Sequence, residues 1–251
     1  MYEEHPLFEK PDDENATIWR YLEFTKFVSL LDRRALFFAR ADKMPDPFEG
    51  SYSKANVKLR RGLYKDLPKE ALDRMLGSVA GFSRKIRRFT LLNCWHISDN
   101  ESAAMWRLYL KSDEGVAIRS TFRRLADSLK VCVDHKVYIG KVKYIDYETD
   151  WLPEGNTFYP FLHKRRSFEH ERELRAVIQK LPIVEGVGID LAQPSPDAGA
   201  YVPVDVDLLL ETVFVSPAAP PWFHELVSSV VGKYGFSKEV RRSKLGEDPV
   251  Y

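Results

Sequence analysis

Cysteine is scarce: Cys94 and Cys132 are the only two in 251 residues. Two are too few for a disulfide framework or a cysteine-built zinc site, and their apolar neighbours read as those of reduced core thiols. The six histidines do not cluster. His163 and His170 stand apart with no carboxylate arrangement that suggests a metal, so no metal site is expected. Net charge is nearly absent: 38 Lys and Arg against 37 Asp and Glu leave +1. That excludes the broad positive field of a non-specific nucleic-acid binder, though not a local basic patch. No run approaches the roughly 18 apolar residues of a membrane helix. The opening Met1-Tyr2-Glu3-Glu4-His5 is acidic and lacks the apolar core of a signal peptide. The expected location is therefore the cytoplasm, with no membrane as a partner. A Walker loop, GxGxxG, HExxH and GxSxG are all missing, which removes the motif-borne chemistries.

What is present is material for one core. Hydrophobic residues make up 44% of the chain and aromatics 13%, enough to close a domain of this length. Residues 1–18 read as an irregular, acidic arm and 19–251 as one α+β domain. Its expected architecture is a mixed or antiparallel sheet with flanking helices, because strand and helix patterns interleave and tight strand-to-strand turns also occur. Trp19–Glu23 reads as a strand, and Thr25 as the cap of a helix through Arg34. Leu36–Arg40 reads as a second strand, and the basic stretch 54–88 as helical. Phe89–Ile97 reads as a buried strand, followed by a capping box from Ser98 and Glu101. Gly115–Ile118 is a strand, with Ser120-Thr121 able to cap the next helix. Residues 131–147 alternate as two or three strands, and a short aromatic helix ends at Lys164-Arg165-Arg166. Glu171–Ile178 is the most legible strand, followed by a loop over 185–200. The last helix places Trp222, Leu226, Val230 and Tyr234 on one side.

The strongest chemical signal is Glu171-x-Glu173-x-Arg175 on one strand face, opposite Leu174, Ala176 and Ile178. Two carboxylates about 7 Å apart beside a guanidinium belong at solvent or in a polar cleft. They form either a solvated face with an ion pair or a catalytic carboxylate held ionised by Arg175. Trp19-Arg20-Tyr21 offers a phosphate grip flanked by stacking rings, or two packed aromatics around an exposed charge. Asp46-Pro47-Phe48-Glu49 positions a ligand or organises a turn. His96 falls at a strand end, a good place for a functional imidazole, though a lone histidine is more often a structural donor. Basic clusters at 58–61, 84–88, 123–124 and 164–166 form a nucleic-acid patch if they converge, and solvated faces if they do not.

The chain resembles a bacterial and phage family known as domain-of-unknown-function family 2971. The resemblance rests on Trp19-Arg20-Tyr21, on Leu36 to Glu49, on Met105-Trp106 and Tyr109 within Ser102–Gly115, and on Lys164, Phe168 and Glu171-x-Glu173-x-Arg175. Phe168 departs mildly from a frequent Trp. More distantly, the order Arg20, Ser120-Thr121, Glu171-x-Glu173 resembles the mono-ADP-ribosyltransferases, as does an opening strand, helix and strand. That resemblance implies NAD as co-substrate, gripped by Arg20 with Trp19 or Tyr21 stacking and Ser120 supporting the ring. Glu173 would be the catalytic carboxylate, Glu171 would orient a protein or nucleic-acid acceptor, and Arg175 would tune the pair. A role as a toxin or in phage defence would follow. Two other classes stay open: a non-catalytic nucleic-acid- or protein-binding effector, and a metal-dependent hydrolase using Asp46, Glu49 and the glutamate pair.

Overall fold

A computed structural model of the chain describes every residue but Val187, Asp248, Val250 and Tyr251. The expected 185–200 loop and the end of the expected domain thus fall partly outside the described residues. The fold opens with strand β1 (Thr17–Glu23), helix α1 (Phe24–Arg33) and strand β2 (Ala35–Arg40). Helix α1 buries Phe27, Leu30 and Leu31, which are spaced to share one face. Thr25 does not cap it: Glu23 holds the cap position, and its carboxylate instead accepts from the Lys111 amide at 2.6 Å. Helices α2 (Lys54–Leu63) and α3 (Lys69–Ile86) follow, then β3 (Thr90–Ile97), α4 (Ala103–Tyr109), β4 (Gly115–Thr121) and α5 (Phe122–Ser128). Ser102, not Ser98, caps α4 by accepting from the Met105 amide, while Glu101 accepts from the Trp106 indole. Thr121 caps α5 as its position suggests.

The second half contains β5 (Tyr138–Lys141), β6 (Lys143–Ile145), β7 (His163–Arg165), β8 (Glu173–Gln179), β9 (Ile183–Val184), β10 (Gly188–Ile189) and β11 (Gly199–Pro203). It ends with α6 (Val206–Leu209), β12 (Thr212–Val215), α7 (Pro221–Lys233) and β13 (Glu239–Arg242). The aromatic segment before Lys164 is a 3-10 turn over Tyr159–Phe161 leading into β7, because Pro160 and the short span leave no room for a full helix. Helix α7 buries Phe223, Val227 and Val231 and leaves Trp222 and Leu226 exposed. The expected stripe was thus one residue out of phase. Both stripes are apolar, Val230 and Tyr234 of the expected one still pack against the core, and the seating of α7 on β12 and β13 selects between them. The N-terminal arm is irregular but seated, with Phe8 buried and Tyr2 bridged to Val137.

The main sheet is mixed and mostly antiparallel, as an α+β domain requires, with the order β11-β2-β3-β1-β4-β12-β13 and β8 and β5 attached at β3. Among the described residues only β12 and β13 run parallel within it. Along one edge β3 pairs with β8 from Thr90 to His96. The other edge is shared. β2 takes Leu91 and Leu92, β1 takes His96 and Ile97, and Asn93, Cys94 and Trp95 are left without a strand partner there. β1 and β2 therefore peel away from β3, joined by α1, and the sheet forks. No helix among the described residues is long and apolar enough to cross a membrane.

Unpaired strand edges in a protein interior must find other partners. Asn93 supplies one, donating from its side chain to the Phe37 carbonyl at 2.9 Å and accepting from the Trp95 indole at 2.8 Å. Both bonds sit at the fork. Asn93→Ala leaves a carbonyl and an indole N–H unsatisfied, and should lower the unfolding free energy by about 2–4 kcal/mol in urea titrations. A loss under about 0.5 kcal/mol, the size of an ordinary surface substitution, would show that the fork does not depend on this side chain.

Candidate functional site

Consecutive residues of a strand face opposite sides of a sheet, so Trp19, Arg20, Tyr21 and Leu22 can line one cavity only if β1 presents its edge to it. They do line one, of about 580 Å³, together with Cys94, Trp95 and His96 of β3, Leu36 and Phe37 of β2, and Tyr109 of α4. The cavity is the opening of the fork. It passes from the face carrying Trp95 to the face carrying His96, and Glu171 and Glu173 form part of its wall.

Arg20 reaches into the fork from β1. One of its terminal nitrogens donates to the Cys94 carbonyl at 2.8 Å, and its guanidinium lies 5.8 Å from the centre of the Trp95 ring. Among the described residues no carboxylate pairs with it within 4.0 Å. Burial pulls its pKa below the usual arginine range, yet a guanidinium stays protonated in a protein. The cavity thus holds a cation without a counter-ion. Trp19 and Tyr21 are buried and near-parallel, their ring centres 6.4 Å apart, with the Trp19 indole fixed to the Ser98 carbonyl and the Tyr21 hydroxyl accepting from the Ser102 amide.

On the opposite wall is an ion cluster. Arg175 is fully buried and donates to both oxygens of Glu173 (2.6 and 3.1 Å), to both of Glu49, and to the Phe161 carbonyl at 2.7 Å. Lys164 bridges Glu171 and Glu173. Burial pushes the Glu173 carboxyl up, but Arg175 and Lys164 outweigh it and hold its pKa at about 2. Burial also pushes Glu49 up, against the pull of Arg175. Of the two readings of this triad the solvated face is overturned: Glu171, Glu173 and Arg175 are all buried, and the pleat that carries them faces the protein. Nor does Glu171 lie on the strand. It ends a 3-10 stretch, Arg166–Glu171, and Arg172 then turns the chain in the left-handed region at φ 39°. That turn leaves one oxygen of Glu171 on Lys164, and among the described residues the other accepts no hydrogen bond.

His96 is the site residue whose sequence context was most equivocal. Its Nδ1 lies 2.6 Å from the Glu171 carbonyl, so Nδ1 carries the proton and Nε2 holds the lone pair, and the residue forms part of the cavity wall. Burial lowers its pKa below the ordinary histidine value, which keeps it neutral at pH 7. Lys164 was visible as part of a basic run and, like Tyr109, as part of the family resemblance. Burial, followed by the nearby Glu171, raises the Tyr109 phenol. Cys94 packs against the apolar cluster that holds Leu92, Phe161 and Val177, as its sequence neighbours suggest, and it also sits across from Arg175 beside Glu173, where burial pushes its thiol up. Ser120 is not brought into the site. It is fully buried under α6 and donates to the Leu209 carbonyl at 2.6 Å. In the 164–166 and 123–124 clusters Arg165 pairs with the buried Asp46, while Arg166 and Arg123 stay exposed in surface pairs with Asp150 and Glu14. Asp46 is engaged by Arg165, and Glu49 by Arg175, which holds Glu173 as well; among the described residues no group of three carboxylate, imidazole or thiol side chains is placed to hold a metal ion.

Compared with known proteins, the chain matches no family model and no curated protein.

Because Glu173 titrates near 2 in the fold and near 4.5 when free, its contribution to stability is complete above pH 4.5 and is lost as pH falls toward 2. Glu173→Gln should lower the urea midpoint near neutrality and flatten the wild-type acid limb in that window. An acid limb of unchanged slope in the variant would show that Glu173 is not the group that gains its charge on folding.

Proposed function

We propose that the fork binds NAD and that the chain is an ADP-ribosyltransferase-like enzyme. The observation that carries this reading is the convergence, in one cavity, of an unpaired Arg20, the paired rings of Trp19 and Tyr21, and the carboxylates Glu171 and Glu173. A dinucleotide needs a cation for its diphosphate, flat apolar walls for its rings, and a carboxylate beside its ribose. Arg20 supplies the first and is free to do so, having no acidic partner to give up. Ser120 has no part in this arrangement.

In the transfer, the bond between ribose C1′ and the nicotinamide nitrogen breaks, and its electron pair leaves with nicotinamide as a neutral base. The ribose carbon is left oxocarbenium-like until an acceptor oxygen or nitrogen bonds to it and gives up its proton. A carboxylate fixed beside that carbon stabilises the developing positive charge without reorganising. Glu171 suits the contact better than Glu173, because one of its oxygens is uncommitted whereas both of Glu173's are held by Arg175 and Lys164. Glu173, ionised throughout the physiological range, anchors Lys164 and keeps the wall negative. The acceptor is a protein or a nucleic acid.

Nicotinamide release from NAD by the purified chain tests the reading. Glu171→Gln, which removes charge without volume, should cost about 10²–10³ in kcat. Arg20→Ala should raise KM with a smaller effect on kcat, because it removes ground-state binding. The wild type should also be thermally stabilised by NAD. No release with protein and nucleic-acid acceptors present, together with no NAD-induced rise in Tm, would overturn the assignment.

A further inference from the structure

Helices α2 and α3 are packed the wrong way round for a solvent-facing hairpin. In α2 the buried residues are Asn56 and Arg60, both polar. Asn56 donates to the Leu152 carbonyl and to Glu154, and Arg60 pairs with the same glutamate at 2.7 Å. The polar side of the helix is thus bonded down onto the 152–154 segment, and the apolar side is turned outward. Of the eighteen residues of α3 only Ile86, at its end, is buried. Val57, Leu59, Leu63, Tyr64, Leu67 and Phe82 are all exposed, Leu63 by 67%. Leu59 and Leu63 stand four apart on one helical face with Ala55, and line an open groove beside Glu148 and Thr149. Contiguous exposed apolar residues rimmed by charge are a mark of interaction surfaces.

The charge around that face identifies the class of occupant. Between residues 54 and 88 there are eleven Lys and Arg against three Asp and Glu, a surplus of eight, of which Lys54 and Arg60 pair with Glu148 and Glu154 from outside the segment. The whole chain carries +1, so the remainder carries −7. Lys58, Arg61 and Lys65 flank the exposed leucines and are themselves exposed. A nucleic-acid backbone would satisfy the cations but offers the leucines nothing to bury against. A second copy of the same face would set two such surpluses against each other. An anionic bilayer surface meets both requirements, with headgroups for the cations and acyl chains for the leucines.

We propose that the α2–α3 hairpin docks the protein on anionic membrane surfaces, with Leu59 and Leu63 inserted and Lys58, Arg61 and Lys65 at headgroup level. The negative remainder of the chain is repelled from the same surface, so the hairpin faces the lipid and the rest stands away. This is peripheral association, which needs no spanning helix. It runs against the expectation, drawn from the lack of an apolar run, that membranes play no part, and it is independent of the NAD reading.

Cosedimentation of the full chain with phosphatidylcholine vesicles containing about 30% phosphatidylserine tests it. The expected result is binding that falls steeply between low and about 0.5 M salt, that is absent on pure phosphatidylcholine, and that drops roughly tenfold or more in Leu59→Asp/Leu63→Asp. Both leucines are exposed, so the variant should keep the wild-type Tm and circular dichroism. Lys58→Glu/Arg61→Glu should lose binding with the same fold intact. No binding to the anionic vesicles, or equal binding by the leucine variant, would overturn the proposal. So would a leucine-dependent dimer in analytical ultracentrifugation, or leucine-dependent binding to single- or double-stranded DNA, either of which would assign the face to that partner instead.

Discussion

Arg175 is charged and has no contact with water, so the segments around it are placed where its five N–H groups can be used. It takes Glu49 from the turn after β2, Glu173 from its own strand and the carbonyl of Phe161 from the 3-10 turn before β7. The turn after β2, far away in sequence, is thereby fixed to the same point as β8 and the segment that precedes it. The fit is tight: Gly50, at φ 69°, lies against the Phe161 ring, where a Cβ would come within 2.4 Å. Buried ion pairs add little net stability when desolvation is counted, but removing one partner strands the others. What this cluster provides is a single arrangement of β8 against the turn, with the cavity wall on its outer side.

The fork depends on that arrangement. Because β8 occupies the full length of one edge of β3, the strands β1 and β2 must share the other, and they meet it at opposite ends. Between them three residues of β3 lack a strand neighbour, and two side chains, Arg20 and Asn93, make up part of the deficit. Arg20 uses only one of its donors there. A cavity in the middle of a sheet, bounded by an under-used guanidinium on one side and a carboxylate with a free oxygen on the other, is a consequence of how the edge is divided.

The periodic elements were legible in the sequence because their signals are local. The alternation of Leu174, Ala176 and Ile178 against Glu173 and Arg175 is visible in any window that contains it, and so is the run from Ala35 to Arg40. Phase errors arose where two faces were equally apolar, as in α7, or where two cap residues were available, as with Ser98 and Ser102. The site was half legible. Arg20, Glu171, Glu173 and Arg175 stood out by residue type, but their burial did not, because it is produced by Lys164 and Glu49 arriving from elsewhere. Ser120 illustrates the reverse: its order in the chain fitted a nucleotide site, while the pairing of β4 with β1 and β12 turns it toward α6 and away from the fork. His96 could be placed at a strand end from sequence, but its tautomer is set by the Glu171 carbonyl, which no spacing reveals.

Hydrogen–deuterium exchange of the full chain with and without NAD tests most directly whether the fork is the ligand site. The account predicts slowed exchange at the amides of Arg20–Leu22 and Cys94–Trp95, where a ligand would cover the unpaired strand edges, with no change at Ser120. Protection absent from the fork, or confined to other elements such as α2 and α3, would contradict it.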